Sequence, residues 1–265
     1  MFLTKLNKHL YKIIVYVLYI VLISIFFYIL YKIYNRYNRY NRYNRYNRYN
    51  RYNRYKQNIY ENFENLVYYD ENNNIIDHEN LEKDEQDIAK AYIEPDNVVL
   101  ELGARYGTVS CVINKLLNNK TNQVVIEPDE KIWDALEKNK QNHNCEFHIV
   151  KGFISNKRFA LSDSGYGSTA NESQESNIQS YSLQDIEKQY NLKFDTLVVD
   201  CEGCLETFFD EYPHMYVQLK NVTFEEDYSD KCNYEKIKSK LTEHGFVKVY
   251  EKLNGILRSM WKKNP

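Results

Sequence analysis

The 265-residue sequence predicts a doubly wound α/β domain behind a separate N-terminal transmembrane helix. Three observations predict it. Two short aliphatic runs, Val98-Val99-Leu100-Glu101-Leu102 and Val124-Val125-Ile126-Glu127, are separated by a glycine turn and one amphipathic helix, the pattern of a parallel βαβ unit. Asn254-Gly255 lies between two strand-like runs and marks an antiparallel hairpin at the C-terminal end. Residues 13–31 read IIVYVLYIVLISIFFYILY, 19 residues without a charge.

The apolar run comes first in the chain. At ~1.5 Å per residue it reaches about 28 Å, close to the hydrocarbon thickness of a bilayer. Tyrosines at both ends suit the interfacial belt, and Lys12 and Lys32 bracket the run. A cleaved signal peptide has a shorter apolar core followed by small residues, whereas Lys32-Ile33-Tyr34 follows here, so an uncleaved anchor is expected. Both flanks are basic. The downstream flank is richer, with Lys32 and the arginines from Arg36 to Arg51, so the positive-inside rule places the C-terminal body on the cytosolic side. Membrane lipid is the expected partner of this helix.

From position 35 to 55 the triplet Asn-Arg-Tyr repeats seven times. A period of three matches neither a helix nor a strand, so no amphipathic face forms, and the segment reads first as a solvated linker. Contact with anionic lipid and stacking on single-stranded nucleic acid are the alternatives for an Arg-Tyr arm. The expected organisation is thus a short segment 1–12, a transmembrane helix 13–31, a basic linker 32–57 and a folded domain 58–265.

Charge divides the same way. Residues 1–55 hold 11 Lys and Arg and no acid, which leaves 24 basic against 37 acidic side chains, a net −13, in the body. An acidic body is repelled by phosphate backbones, which argues against nucleic acid as its partner. Five cysteines without a dense framework exclude a disulfide scaffold and fit a reducing compartment.

Within the body, an amphipathic helix is expected over 78–93, stopped by Pro95. The first buried strand ends in Gly103-Ala104-Arg105-Tyr106-Gly107. Val109, Val112, Ile113, Leu116 and Leu117 then mark one face of a helix that Thr108 can cap. The second strand ends in Glu127, 24 residues after Gly103, near the spacing at which a carboxylate accepts ribose hydroxyls. Pro128 opens a helix expected to run to about Asn139. Trp133 there suits either a base contact or the core.

The turn lacks the three glycines that bring backbone amides to a pyrophosphate, which argues against a dinucleotide oxidoreductase. Glu101 just before it favours a cationic ligand over phosphate, and S-adenosylmethionine fits. Glu101, Gly103, Ala104, Gly107, Glu127 and Pro128 are therefore the candidate cofactor-binding residues, joined by Asp200 at the end of a later strand. The structural alternatives are a loop-amide acceptor for Glu101 and a helix-start carboxylate for Glu127.

These motifs resemble those of FkbM-like methyltransferases. Val99-Leu100-Glu101-Leu102-Gly103-Ala104-Arg105-Tyr106-Gly107 is similar to the first family motif, and Ile126-Glu127-Pro128 to the end of the second strand. Ser182-Leu183-Gln184-Asp185-Ile186, Leu197-Val198-Val199-Asp200-Cys201-Glu202-Gly203 and Val222-Thr223-Phe224-Glu225 follow in family order. The chain departs from the pattern at Arg105, where asparagine is usual, and at Cys201, where valine is. The resemblance implies a seven-stranded sheet with a reversed last strand and methyl transfer from S-adenosylmethionine to a hydroxyl of a glycan, glycolipid or other small acceptor. A catalytically inactive binding module tethered to a membrane, with the basic arm binding anionic lipid or nucleic acid, is the alternative that Arg105 keeps open.

An oxygen acceptor must lose its proton, so a carboxylate or histidine within reach is sought. Asp200, with Glu202 on the same turn, is the catalytic candidate; either residue as a helix cap is the alternative. Glu225, Glu226 and Asp227 crowd three acids after the next strand, which suits a site, a metal or a solvated edge alike. His148 and His214 are possible bases, though a lone histidine is more often structural. Cys201-x-x-Cys204 lacks a second ligand pair and is weak for metal or redox chemistry, so no metal is expected. Residues 162–182 are rich in Ser and Asn, too polar to pack, and read as a loop, either a lid or disorder.

Overall fold

The structure, a computed structural model, describes residues 28, 30–32, 66–77, 80–164 and 167–264. The chain divides into two compact units, Met1–Asn62 and Phe63–Pro265. In the first, residues 28 and 30–32 are helical; the rest of the expected transmembrane helix and the whole Asn-Arg-Tyr repeat lie outside the described residues. Among the described residues no helix is long and apolar enough to cross a membrane.

The second unit runs β1 (Tyr68–Tyr69), β2 (Ile75–Ile76), α1 (Lys83–Tyr92), β3 (Val99–Leu102), α2 (Thr108–Leu116), β4 (Gln123–Glu127), α3 (Trp133–Asn142) and β5 (His148–Lys151). It continues with β6 (Phe153–Ile154), β7 (Phe159–Ser164), β8 (Gly167–Glu172), β9 (Ser180–Tyr181), α4 (Leu183–Tyr190) and β10 (Thr196–Val199). The last elements are α5 (Leu205–Glu211), α6 (Met215–Gln218), β11 (Asn221–Glu226), α7 (Tyr234–Glu243), β12 (Phe246–Asn254) and β13 (Ile256–Lys263).

Seven strands form one sheet in the order β5-β4-β3-β10-β11-β13-β12. Neighbours from β5 to β11 are parallel, and β13 is antiparallel to both β11 and β12. This is the sheet with a reversed last strand that the resemblance implies. The strand order reverses between β3 and β10, and ligands of open α/β sheets sit outside the carboxyl ends of the strands at such a point.

Strand alternation decides what each face holds. Leu100, Leu102, Val124, Ile126, Leu197, Val199, Val222 and Phe224 pack in the larger core cluster. Val125 faces the other way, with Ala104, Cys111, Leu136 and Phe147 under α2 and α3. The apolar stripe of α2 is the one its spacing predicts: Val109, Val112, Ile113 and Leu116 are all buried.

Several expectations are corrected. The first helix begins at Lys83, after Glu82 in the left-handed region at φ 52°. Gly107, at φ 79°, occupies the N-cap of α2, so Thr108 does not cap it; the Thr108 hydroxyl donates to Glu82 instead. The helix expected from Pro128 starts at Trp133, because Glu127 holds the Asp129 amide in a turn first. The polar stretch 162–182 contains hairpin strand β8 and the end of β7. A two-stranded ladder satisfies its backbone without an apolar core, and Phe159 anchors the hairpin against Phe153, with ring centroids 5.6 Å apart.

The C-terminal strands are tied to α1 and to the turn that follows it. Lys252 Nζ lies 2.6 Å from Asp84 and Lys262 Nζ 2.8 Å from Glu94, while Arg258 bonds Glu85.

Candidate active site

Register assembles the site. Val199 pairs with Leu102, Leu102 with Ile126, and Val199 with Phe224. The next residue of each strand or turn therefore falls in one row at the carboxyl edge: Glu127, Gly103, Asp200 and Glu225. Sequence motifs up to 122 positions apart meet there because the pairing is parallel and in step.

The glycine turn is held from both sides. Gly103 N donates to the Ile126 carbonyl at 3.0 Å, and Asp200 N donates to the Leu102 carbonyl at 2.9 Å. Gly103 has φ 85° and packs so tightly that a Cβ would sit 1.7 Å from the Asp200 carbonyl oxygen. Arg105 follows at φ 41°, a left-handed position that asparagine tolerates better than arginine. Its guanidinium folds back over the Tyr106 ring, 4.8 Å from the centroid, with Nη2 3.3 Å from the Tyr106 hydroxyl.

Glu127 closes the turn. Its Oε2 accepts the Arg105 amide at 2.7 Å, and its Oε1 accepts the Asp129 amide at 2.8 Å. Burial outweighs those bonds and pushes the Glu127 carboxyl up to about 7. The Trp133 indole donates to the Glu127 carbonyl at 2.8 Å, so Trp133 supports this strand end; it does not line the cavity described next.

A cavity of about 360 Å³ opens at the carboxyl edge, within the range of small-molecule sites. Gly103, Arg105, Glu127, Pro128, Asp200 and Glu202 all line it. Apolar walls come from Ile126, Phe153, Ile154 and Phe208, and the β7–β8 hairpin adds Phe159, Leu161 and Ala170. Six lining residues are acidic (Glu82, Glu127, Asp129, Glu172, Asp200, Glu202) against Arg105 and Lys231. Such a wall favours cationic and neutral ligands over phosphate.

Three expected cofactor contacts lie elsewhere. Glu101 alternates to the opposite face of β3 from Leu102. There it accepts Ser110 Oγ at 2.8 Å and Gln123 Nε2 at 2.9 Å, and burial pushes it up to about 8. Glu101 and Ala104 border a much smaller crevice under α1 instead, and Gly107 borders neither space. Gly107 serves the turn: a Cβ there would come within 2.8 Å of Leu136 Cδ1.

The acids around Asp200 form one electrostatic unit. Burial, then the charges of Glu82 and Asp227, hold the Asp200 carboxyl well above its usual range. Burial and Asp227 likewise raise Glu202, which also bonds the Tyr228 and Asp227 side chains. Glu225 is pushed up to about 9, chiefly by burial and by Asp200. Asp200, Glu225 and Asp227 bring ligand oxygens within 4.8 Å of one another, a spacing compatible with a cation. Two of the three are already engaged: Glu225 pairs with Arg258 Nη2 at 2.6 Å, and Asp227 accepts the Tyr234 hydroxyl at 2.6 Å.

Cys201 and Cys204 are joined in a disulfide that lines the same cavity, while Cys111, Cys145 and Cys232 are free and buried. The motif read as weak for redox chemistry is therefore a bridged pair, and the expectation of reduced thiols fails for these two cysteines. His148 stacks on Tyr190 at 4.3 Å and His214 precedes α6 beside Tyr212; neither lines the cavity. Glu82, Arg258 and the hairpin residues were missed, since only the tertiary fold brings them to the strand ends.

No protein-family model matches the sequence, and no curated protein matches it. Among solved structures it is similar to precorrin-6y C5,15-methyltransferase from Geobacter metallireducens GS-15, at 15% identity over 68% of this chain and 86% of that one, with a TM-score of 0.44. A ribosomal protein L11 methylase from Lactobacillus delbrueckii subsp. bulgaricus shares 13% identity over 69% of this chain and 78% of its own, with a TM-score of 0.42. A protein of the NADB-Rossmann superfamily from Streptococcus agalactiae shares 12% over 69% of each chain, with a TM-score of 0.46. By its own strand order, the chain has a Rossmann-like α/β fold with a mainly parallel seven-stranded sheet. The FkbM-like resemblance rests on the short motifs alone.

Proposed function

We propose that this chain is an S-adenosylmethionine-dependent methyltransferase of FkbM-like type, acting on a hydroxyl of a neutral glycan, glycolipid or other small acceptor. The observation that carries the reading is the row Glu127–Gly103–Asp200 at the point where the strand order reverses, facing a cavity of about 360 Å³. S-adenosylmethionine fits the donor set: a buried carboxylate at the end of β4 for vicinal hydroxyls, a glycine turn that lets backbone approach, and an acidic wall for cationic groups. Bound there, it supplies an electrophilic methyl group.

The chain's own residues do the rest. Glu127 and the Gly103 turn orient the donor, and the apolar walls keep water from the reacting centre. Asp200 and Glu202, raised by burial and by neighbouring acids, are stronger bases when ionised than free carboxylates, and either suits removal of a hydroxyl proton. The acidic wall argues against an acceptor carrying phosphates. Arg105, folded onto Tyr106, supports an active site over an inactive binding module.

The apolar run 13–31 supports a single-pass anchor with the enzyme on the cytosolic side, where the methyl donor is made and a lipid-linked acceptor is within reach. The reading is tested by calorimetric titration of the full-length chain with S-adenosylmethionine. Micromolar binding that Glu127→Ala removes is the expected result. No binding heat from folded protein at several temperatures overturns it.

A further inference from the structure

The segment from Asp200 to Leu205 is bridged across its two central residues. Cys201 and Cys204 flank Glu202, at φ 56°, and Gly203, at φ 92°. Two consecutive left-handed residues, one of them not glycine, are a costly turn for a free chain to hold. The turn is also pressed against the loop that follows β11: a Cβ on Gly203 would lie 2.9 Å from Lys231 Cβ and 3.2 Å from Tyr228 Cβ. That loop carries Asp227 and Tyr228, the side chains that Glu202 bonds. The bridge therefore fixes where the Glu202 carboxylate stands in the cavity.

We propose that Cys201–Cys204 is a reversible disulfide, a redox modification site whose oxidised form holds the acidic turn in its ligand-binding shape. Both sulfurs belong to cavity-lining residues, so a small dithiol entering the cavity reaches them. Its thiolate attacks one sulfur, breaking the S–S bond and giving a mixed disulfide, while the other cysteine leaves as a thiolate and takes up a proton. The second thiolate of the reductant then displaces the protein sulfur. Two electrons and two protons pass to the cysteines, and the dithiol leaves as its own disulfide. The other three thiols, Cys111, Cys145 and Cys232, are buried; burial pushes Cys111 and Cys232 up, Cys232 to about 11, while its bond with Cys111 lowers Cys145. Reduction frees the turn to leave its left-handed conformation and takes Glu202 from Asp227 and Tyr228.

The binding readout of this proposal rests on the methyltransferase reading, and the experiment separates the two. Full-length protein is treated with oxidised glutathione or with dithiothreitol, then alkylated without unfolding and mapped by mass spectrometry, and each form is titrated with S-adenosylmethionine. Cys201 and Cys204 should be protected after oxidation and alkylated after reduction. The oxidised form should bind about fivefold tighter or more, in the usual range of coupling between two sites. Cys201→Ser/Cys204→Ser should bind like the reduced wild type under both treatments. Equal affinities of the two wild-type forms, or alkylation of the pair after oxidation, overturn the proposal. If neither form binds the donor, the function reading fails, and hydrogen exchange over residues 200–211 decides the redox proposal. Faster exchange on reduction supports it; unchanged exchange overturns it.

Discussion

A methyl group on Gly103 would lie 1.7 Å from the main-chain carbonyl oxygen of Asp200. The turn after β3 and the end of β10 are thus in backbone contact, and the ends of β3 and β10 form one surface. Gly103→Ala should lower stability by about 3 kcal/mol, combining a left-handed alanine with a collision against backbone that has no room to move. Gly107→Ala meets only the end of the Leu136 side chain and should cost about half as much. Thermal melts of the two variants check the order, and a milder loss at Gly103 would contradict the contact.

Glu127→Ala should weaken S-adenosylmethionine by at least about tenfold, roughly 1.4 kcal/mol. It also leaves the Arg105 and Asp129 amides without their acceptor, which should cost about 1–3 kcal/mol of stability. Calorimetry and denaturant unfolding read the two losses separately. Unchanged affinity would remove Glu127 from the donor site.

The buried carboxyls set a pH dependence. Glu127 and Glu101 stand at about 7 and 8 in the folded chain, above the value near 4.5 of an exposed glutamate. Between those limits the folded state binds more protons than the unfolded state. Their contribution is full below pH 4.5 and is lost as pH rises through 7 to 8. The melting temperature should therefore fall between pH 6 and pH 9. Glu101→Gln, which keeps an acceptor for Gln123 and needs only the Ser110 hydroxyl to turn, should flatten that fall. A curve as steep as wild type would show that Glu101 does not titrate in this range.

Arg105→Asn should raise stability by about 0.5–1 kcal/mol, since asparagine is at ease at φ 41° and arginine is not. At this domain size that is a gain of roughly 2 °C in the melting temperature. A drop would mean that the stacking of Arg105 on Tyr106 outweighs the strain.

The strands, the helix face after the glycine turn and the Asn254-Gly255 hairpin were legible because each is written locally, in alternation, periodicity or turn chemistry. Asp200, Glu127 and Gly103 were legible as a set because parallel pairing brings strand ends into one row. Glu101 was not, because whether a strand residue faces cavity or helix depends on which face its neighbours bury. Glu82 and Arg258 reach the acids only through the packing of α1 on β13. The β7–β8 hairpin hides in a polar stretch because a ladder closed by backbone bonds needs few apolar residues.

The ties from β12 and β13 to α1 also bear on how the domain forms. Glu85 and Glu225 share Arg258, so the floor beneath the strand ends waits for a residue 173 positions after Glu85. During synthesis the glycine turn and the first three strands emerge long before that partner does. Contacts this distant in sequence slow folding, because the intervening loop must close before any bond repays it. The nascent domain should stay loose, and susceptible to proteases, until the C-terminal strands leave the ribosome.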